Sequence, residues 1–192
     1  KQGMFAKTYY VSKTGNDNNP GTFSHPFLSV QHAADMIISG DTVFIRGGVY
    51  HEQIIVVNSG NAVDGHNVFS SYQNESVAID GIENGDSITN IFIIRASYIK
   101  LLKLTVRECI SAGIWVDGAF GFIEISDCRV HDAQCCISFY NGPHDFVLNR
   151  VEMYAFTACG FDLASIAAFS LSCSLDFCTT FCCGELASGY FF

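Results

Sequence analysis

From residue 91 onward, apolar and polar positions alternate in short runs, and the runs recur. Aligned by character, residues 91–113, 114–136, 137–160 and 161–184 form four units of 23, 23, 24 and 24 residues. Ile91, Ile114, Ile137 and Phe161 open them, and Ile93, Val116, Phe139 and Leu163 follow two positions later. Leu104, Cys128, Val151 and Leu175 begin a second strand, with Val106, Val130, Met153 and Phe177 beside them. Gly113, Cys136, Gly160 and Gly184 close the turns. Short strands recurring every two dozen residues, with no helical stripe, predict a coiled solenoid. One rung cannot bury its apolar side alone, whereas rungs stacked about 4.8 Å apart as parallel strands share a continuous core.

The first forty residues read differently. "TYYVS" (8–12) is a short strand, and a loop rich in Gly, Asn, Asp and Pro follows it. In residues 27–39, Val30, Ala33, Ala34 and Ile37 fall at i, i+3, i+4 and i+7, one apolar helical stripe. Pro26 suits the first turn of that helix and Gly40 its end. "DTVFIRGG", "VYHEQIIVV", "NVFSSY" and "SVAIDG" are further strand candidates. The expectation is one all-β domain over 1–192, with 8–40 as strand, loop and capping helix and 41–192 as about seven rungs of 23–24 residues.

Stacking accounts for most of the charges. Lys103, Asp127 and Arg150 fall in one outward column of alternating sign, and Arg129 and Glu152 share the next. Such exposed pairs are each worth about 0.2–1 kcal/mol and set register more than they stabilise. Ser126, Asn149 and Ser172 form a turn column able to hydrogen-bond between rungs.

Composition narrows the partners. Ten Lys and Arg against 19 Asp and Glu give a formal charge of −9, which repels phosphate backbones and argues against nucleic acid. No apolar run approaches the roughly 18–20 residues of a bilayer span, so no membrane partner is expected. The opening "KQGMFAKTYY" lacks the apolar stretch of a signal peptide, which is absent or already removed. All nine cysteines lie at or after Cys109, and 135, 159 and 183 recur at one place in the repeat, where Ala112 stands a rung earlier. Inward-facing free thiols are the first expectation, with disulfides or a metal as alternatives.

Residues 8–56 resemble the N-terminal part of right-handed parallel β-helix proteins of the pectate-lyase-like superfamily, especially the family 9 type polysaccharide lyases. "YYVS", "GNDNNPGT", "HPF", the amphipathic helix, "GDTV" and "RGG-YHE" carry the likeness. The resemblance implies a right-handed single-stranded helix whose helix at 27–39 caps the open end, and a secreted, polysaccharide-directed protein. In such lyases an Asp-bound calcium ion neutralises a uronate while a Lys or Arg removes the proton beside its carboxylate, opening β-elimination. This sequence departs from that pattern: Lys103 is its last lysine, and Asp117, Asp127, Asp132, Asp145 and Asp162 are scattered.

Within the repeat, "GIWVDG" (113–118) holds the only tryptophan. Strand alternation turns Ile114 and Val116 inward and Trp115 and Asp117 outward. Phe92, Trp115, Ser138 and Asp162 then make one outward column, and Ile94, Asp117, Tyr140 and Ala164 its neighbour. Trp115, Asp117, Tyr140 and Asp162, with Arg95 at the strand end, are thereby predicted to form a substrate-binding patch. Its aromatic rings would stack on sugar faces while the polar groups meet hydroxyls. Asp117 and Asp162 could instead hold calcium, Arg95 could face a uronate or pair with Asp117, and a covering loop would make the patch plain packing. His131 and His144 read as surface or turn residues, and "NES" (74–76) is a glycosylation sequon if the chain is secreted by a eukaryote. A competing expectation is a structural β-helix that self-assembles through its C-terminal end, where Glu185 breaks the apolar column.

Overall fold

The computed structural model describes residues 6–164 and 172–174. The chain opens with β1 (Thr8–Val11) and α1 (Val30–Met36), then winds. The first turn holds β2 (Thr42–Ile45), β3 (Gly48–Tyr50) and β4 (Ile54–Val56). The second holds β5 (Asn67–Ser71), β6 (Val77–Asp80), a small hairpin of β7 (Ile82–Glu83) and β8 (Asp86–Ser87), and β9 (Phe92–Ile94). The third has β10 (Ile99–Leu102), β11 (Thr105–Arg107) and β12 (Ala112–Asp117). The fourth has β13 (Gly121–Ser126) and β14 (Arg129–Tyr140), and the fifth β15 (His144–Asn149) and β16 (Glu152–Ala164). The strand β17 (Ser172–Ser174) follows.

Among the described residues, all the pairing between strands apart from the β7–β8 hairpin is parallel and forms three faces. The first stacks β1, β2, β5, β10, β13, β15 and β17. The second stacks β3, β6, β11 and the leading parts of β14 and β16. The third stacks β4, β9, β12 and the trailing parts of the same two long strands. Five complete turns are described, fewer than the seven expected. The strand β1 leads into the cap rather than a turn of its own, and the chain after β17 lies outside the described residues.

Inside, like sits over like. Phe92, Ile114, Ile137 and Phe161 form one file, and Ile94, Val116 and Phe139 another, all buried. Leu104, Cys128 and Val151 stack at a corner, and Val106, Val130 and Met153 line the second face. Leu175, Phe177 and Cys183 lie outside the described residues, as do Glu185 and the C-terminal surface on which self-assembly was expected. Phe139, Phe146 and Phe161 meet across the interior, the first two with ring centroids 4.3 Å apart. Gly113 is buried where β12 turns the corner, and a Cβ there would lie 2.5 Å from the Val130 side chain.

The corners have their own signature. Tyr98, Phe122 and Asp145 form one column of left-handed residues, with φ of 58°, 58° and 49°. Lys103, Asp127 and Arg150 form a second (57°, 56°, 50°), and Glu108, Asp132 and Ala155 a third (58°, 54°, 52°). A non-glycine residue in this region costs about 1 kcal/mol, held here by the ladders on either side. The expected charge columns are present: Arg150 donates to Asp127 at 2.5 and 2.8 Å, and Arg129 to Glu152 at 2.7 Å. Lys103 donates to Asn74 Oδ1 at 2.7 Å.

Four details differ from expectation. Ser29 rather than Pro26 starts the helix, its hydroxyl accepting from the His32 amide, and Ile37 ends it. Glu52 accepts from the Val30 and Gln31 amides at 2.9 Å, so the orphan donors of the first turn are met from a neighbouring rung. On the third face, Phe92 rather than Ile91 pairs with Ile114, because that turn has 22 residues and not 23. Phe92 therefore points inward, and Ile93 lies under Trp115. Finally, Asn149 pairs with Ser174, not Ser172.

Candidate functional site

The outward side of the third face carries Ile93, Trp115, Ser138 and Asp162 in register, one per rung. Alternation puts them there: Ile114, Val116, Ile137 and Phe139 between them are buried. A cleft of about 350 Å³ opens on this face, and Trp115, Ser138 and Asp162 line it together with Asn90, Gln134 and Cys135. Trp115 is half-buried along its wall, and the Tyr140 ring lies 6.5 Å away at an angle of 50°. Tyr140 is 44% exposed.

The predicted patch divides in two. Trp115 and Asp162 share the cleft. Arg95 and Asp117 lie beside it, tied to each other. The one-residue shift places Arg95 rather than Ile94 beneath Asp117, and both Nε and Nη2 of Arg95 donate to Asp117 Oδ2, at 3.0 and 2.9 Å. Asn141 Nδ2 donates to the other oxygen at 3.1 Å. The Asp117 carboxylate is thus occupied on both oxygens. Asp162 has no ion-pair partner among the described residues. Asp117 and Asp162 stand two rungs and two strand positions apart, roughly 10 Å or more by strand geometry.

That separation bears on calcium. The ion takes 6–8 oxygen ligands, and no group of three carboxylates converges on one point among the described residues. The one cluster of potential metal ligands there is Cys135, Cys159 and Asp162. Among the described residues Lys100 pairs with Glu124 at 2.6 Å on the first face, Lys103 sits at a corner, and no lysine stands on the third face, whose Arg95 is paired with Asp117.

The cysteines correct the expectation of free inward thiols in one place. Cys135 and Cys159, stacked on adjacent rungs with Cα atoms 4.8 Å apart, form a disulfide beside the cleft. The reason is local. The corner between the second and third faces reverses the alternation, and the pairing of β14 with β16 shifts between Ala133 and Cys135. Residue 135 therefore turns toward the surface while Cys136 turns in. Cys109 and Cys128 are free and buried as expected, and Cys136 is buried. Burial pushes the Cys109 thiol up to about 11 and that of Cys128 up to about 12, so neither supplies thiolate near neutrality.

Several groups escaped sequence reasoning. His131 is buried against the Tyr154 ring, with centroids 4.5 Å apart and planes 9° apart, rather than free at the surface. It stands in register with Arg107 and Tyr154, and Arg107 donates to the buried Asp80 at 2.9 Å. An aromatic ladder of His66, Tyr98, Phe122 and His144 runs up the first corner. A larger cleft of about 620 Å³, where the first and second faces meet, is lined by Lys103, Asp127, Arg129, Arg150 and Glu152. Arg150 pairs with Asp127 and Arg129 with Glu152, Lys103 donates to Asn74, and the hydrogen bonds of Arg150 hold the Asp127 carboxyl below the usual range.

With this geometry in view, a family model described as the Pel9A-like, right-handed β-helix region matches residues 9–157. The chain is 36% identical over 129 residues to the uncharacterized protein YwoF of Bacillus subtilis, covering 62% of this chain and 27% of that protein. It is 39% identical over 82 residues to pectate lyase PEL9 of Emericella nidulans, covering 42% and 20%. The chain thus spans well under a third of either relative. Among solved structures, pectate lyase Pel9A superposes with a TM-score of 0.70 at 18% identity, over 82% of this chain and 44% of that one. The GH136 lacto-N-biosidase of Eubacterium ramulus gives a TM-score of 0.63 at 15% identity, over 76% and 34%. At such identities these two speak for the fold.

Proposed function

The chain belongs to the Pel9A-like right-handed β-helix family, and from that premise we propose that its third face binds an acidic polysaccharide outside the cell. The observation that carries this reading is the Trp115–Tyr140 pair, two rings on successive rungs 6.5 Å apart, of which Trp115 lines an open cleft together with Asp162. Rungs repeat at about 4.8 Å, close to the length of one pyranose, so a glycan laid across the stack meets each rung in turn. The rings offer apolar faces to sugar C–H groups, and Ser138, Asn90 and Gln134 meet hydroxyls.

Binding is the role given to these residues. The Asp117 carboxylate is committed to Arg95 and Asn141, so calcium would reach this face through Asp162. Its other ligands would come from uronate carboxylates and water. No chemical step is assigned to it. Retention on immobilised polygalacturonate and on a neutral glycan, each with and without calcium, tests the reading. Trp115→Ala and Tyr140→Ala should each weaken retention about threefold to tenfold, the worth of one ring contact. Unchanged retention in both variants, or none by the parent chain, refutes it.

A further inference from the structure

We propose that Cys135, Cys159 and Asp162 form a redox-gated site for a thiophilic divalent cation of the zinc class, closed when the disulfide is present and open when it is reduced. The two sulfurs and an Asp162 oxygen all lie within 4.8 Å of one another. All three residues line the same cleft, so a small reductant and a hydrated ion can both reach them. Cys135 and Cys159 are partners in the parallel ladder of β14 and β16, with Cα atoms 4.8 Å apart, so the backbone pairing on either side keeps them on adjacent rungs.

A thiol reductant delivers two electrons and two protons to the S–S bond. The bond breaks into two thiols, and the reductant leaves as its own disulfide. A divalent ion then displaces both thiol protons to solvent and is held by two thiolates and one carboxylate. Its fourth position is open to water or a sugar hydroxyl. Soft sulfur donors choose zinc or cadmium over calcium, so this site differs in chemistry from any calcium site on the same face. Asp162, with no cation beside it among the described residues, supplies the remaining negative charge.

The site stands independently of glycan binding and is read without it. The full chain is reduced with a phosphine, freed of reductant under argon and titrated with cadmium, following the sulfur-to-metal charge-transfer absorption. Zinc is then tested by competition. Reduction should add one equivalent of bound cadmium, and reoxidation should abolish it. Cys135→Ala/Cys159→Ala should lose that equivalent while keeping the parent circular dichroism. Asp162→Asn, which leaves both sulfurs, should weaken affinity about tenfold or more. No gain on reduction, or an equal gain in the double alanine variant, overturns the site. Unchanged affinity in Asp162→Asn overturns the three-ligand assignment.

Discussion

Replacing Cys135 and Cys159 together by alanine should lower stability measurably without changing the fold. The bond joins residues 24 apart, one full turn of the solenoid. Closing a loop of that length removes unfolded-state entropy worth about 3.5 kcal/mol at room temperature. Alanine is the fitting substitute, because Ala112 already occupies the same file one rung below Cys135. For a domain of this size each kcal/mol moves the melting midpoint by about 2–4 °C, so a drop of roughly 7–14 °C is expected. Calorimetry and urea titration should be run on the oxidised parent, the reduced parent and the double variant. The reduced parent and the variant should agree with each other and fall below the oxidised parent. Equal midpoints for all three, within about 2 °C, would refute the loop-closure reasoning.

Phe139→Ala should cost about 3–5 kcal/mol in urea unfolding, since the ring is wholly buried against Phe146 and Phe161. Glu52→Ala should lower stability by about 1–3 kcal/mol, because it leaves the Val30 and Gln31 amides without their acceptor; an unchanged urea midpoint counts against this cap. On acidification the Asp17 carboxyl is opposed by burial but held below its ordinary value by bonds from Ser29 and Leu28. Its contribution is present above the ordinary carboxylate range and lost as pH falls through the lowered value, so Asp17→Asn should flatten the melting profile there. Glu52, raised by burial, runs the other way: its contribution is full at low pH and lost as pH rises through the raised value. Arg95→Ala should release one oxygen of Asp117 and leave Trp115 in place, changing the charge preference for glycans while preserving retention of neutral ones.

Much of the architecture was legible because a stacked rung repeats its own pattern. Leu104, Cys128 and Val151 could be aligned from character alone, and so could the Asp127–Arg150 and Arg129–Glu152 pairs. What escaped was whatever depends on corners. Turn length varies by a residue, which moved Arg95 rather than Ile94 under Asp117 and turned Phe92 inward. The reversal of alternation at residues 135 and 136 sends one cysteine out and its neighbour in, which periodicity along a straight strand cannot reveal. The β7–β8 hairpin, an insertion at that same corner, has no counterpart in the repeat. For the site, Trp115 and Tyr140 were found by alternation. Asn90 and Gln134 were missed because they come from the corner.

In the second turn the corner between the second and third faces carries the β7–β8 hairpin, whereas β14 and β16 run through it as unbroken strands of 12 and 13 residues. The corner is therefore a place where the coil tolerates extra chain, and the later turns leave it bare beside Trp115. A short hairpin grafted after Asp132 would build a wall along that edge without touching the interior, turning an open trough into a tunnel that admits chain ends and excludes mid-chain stretches.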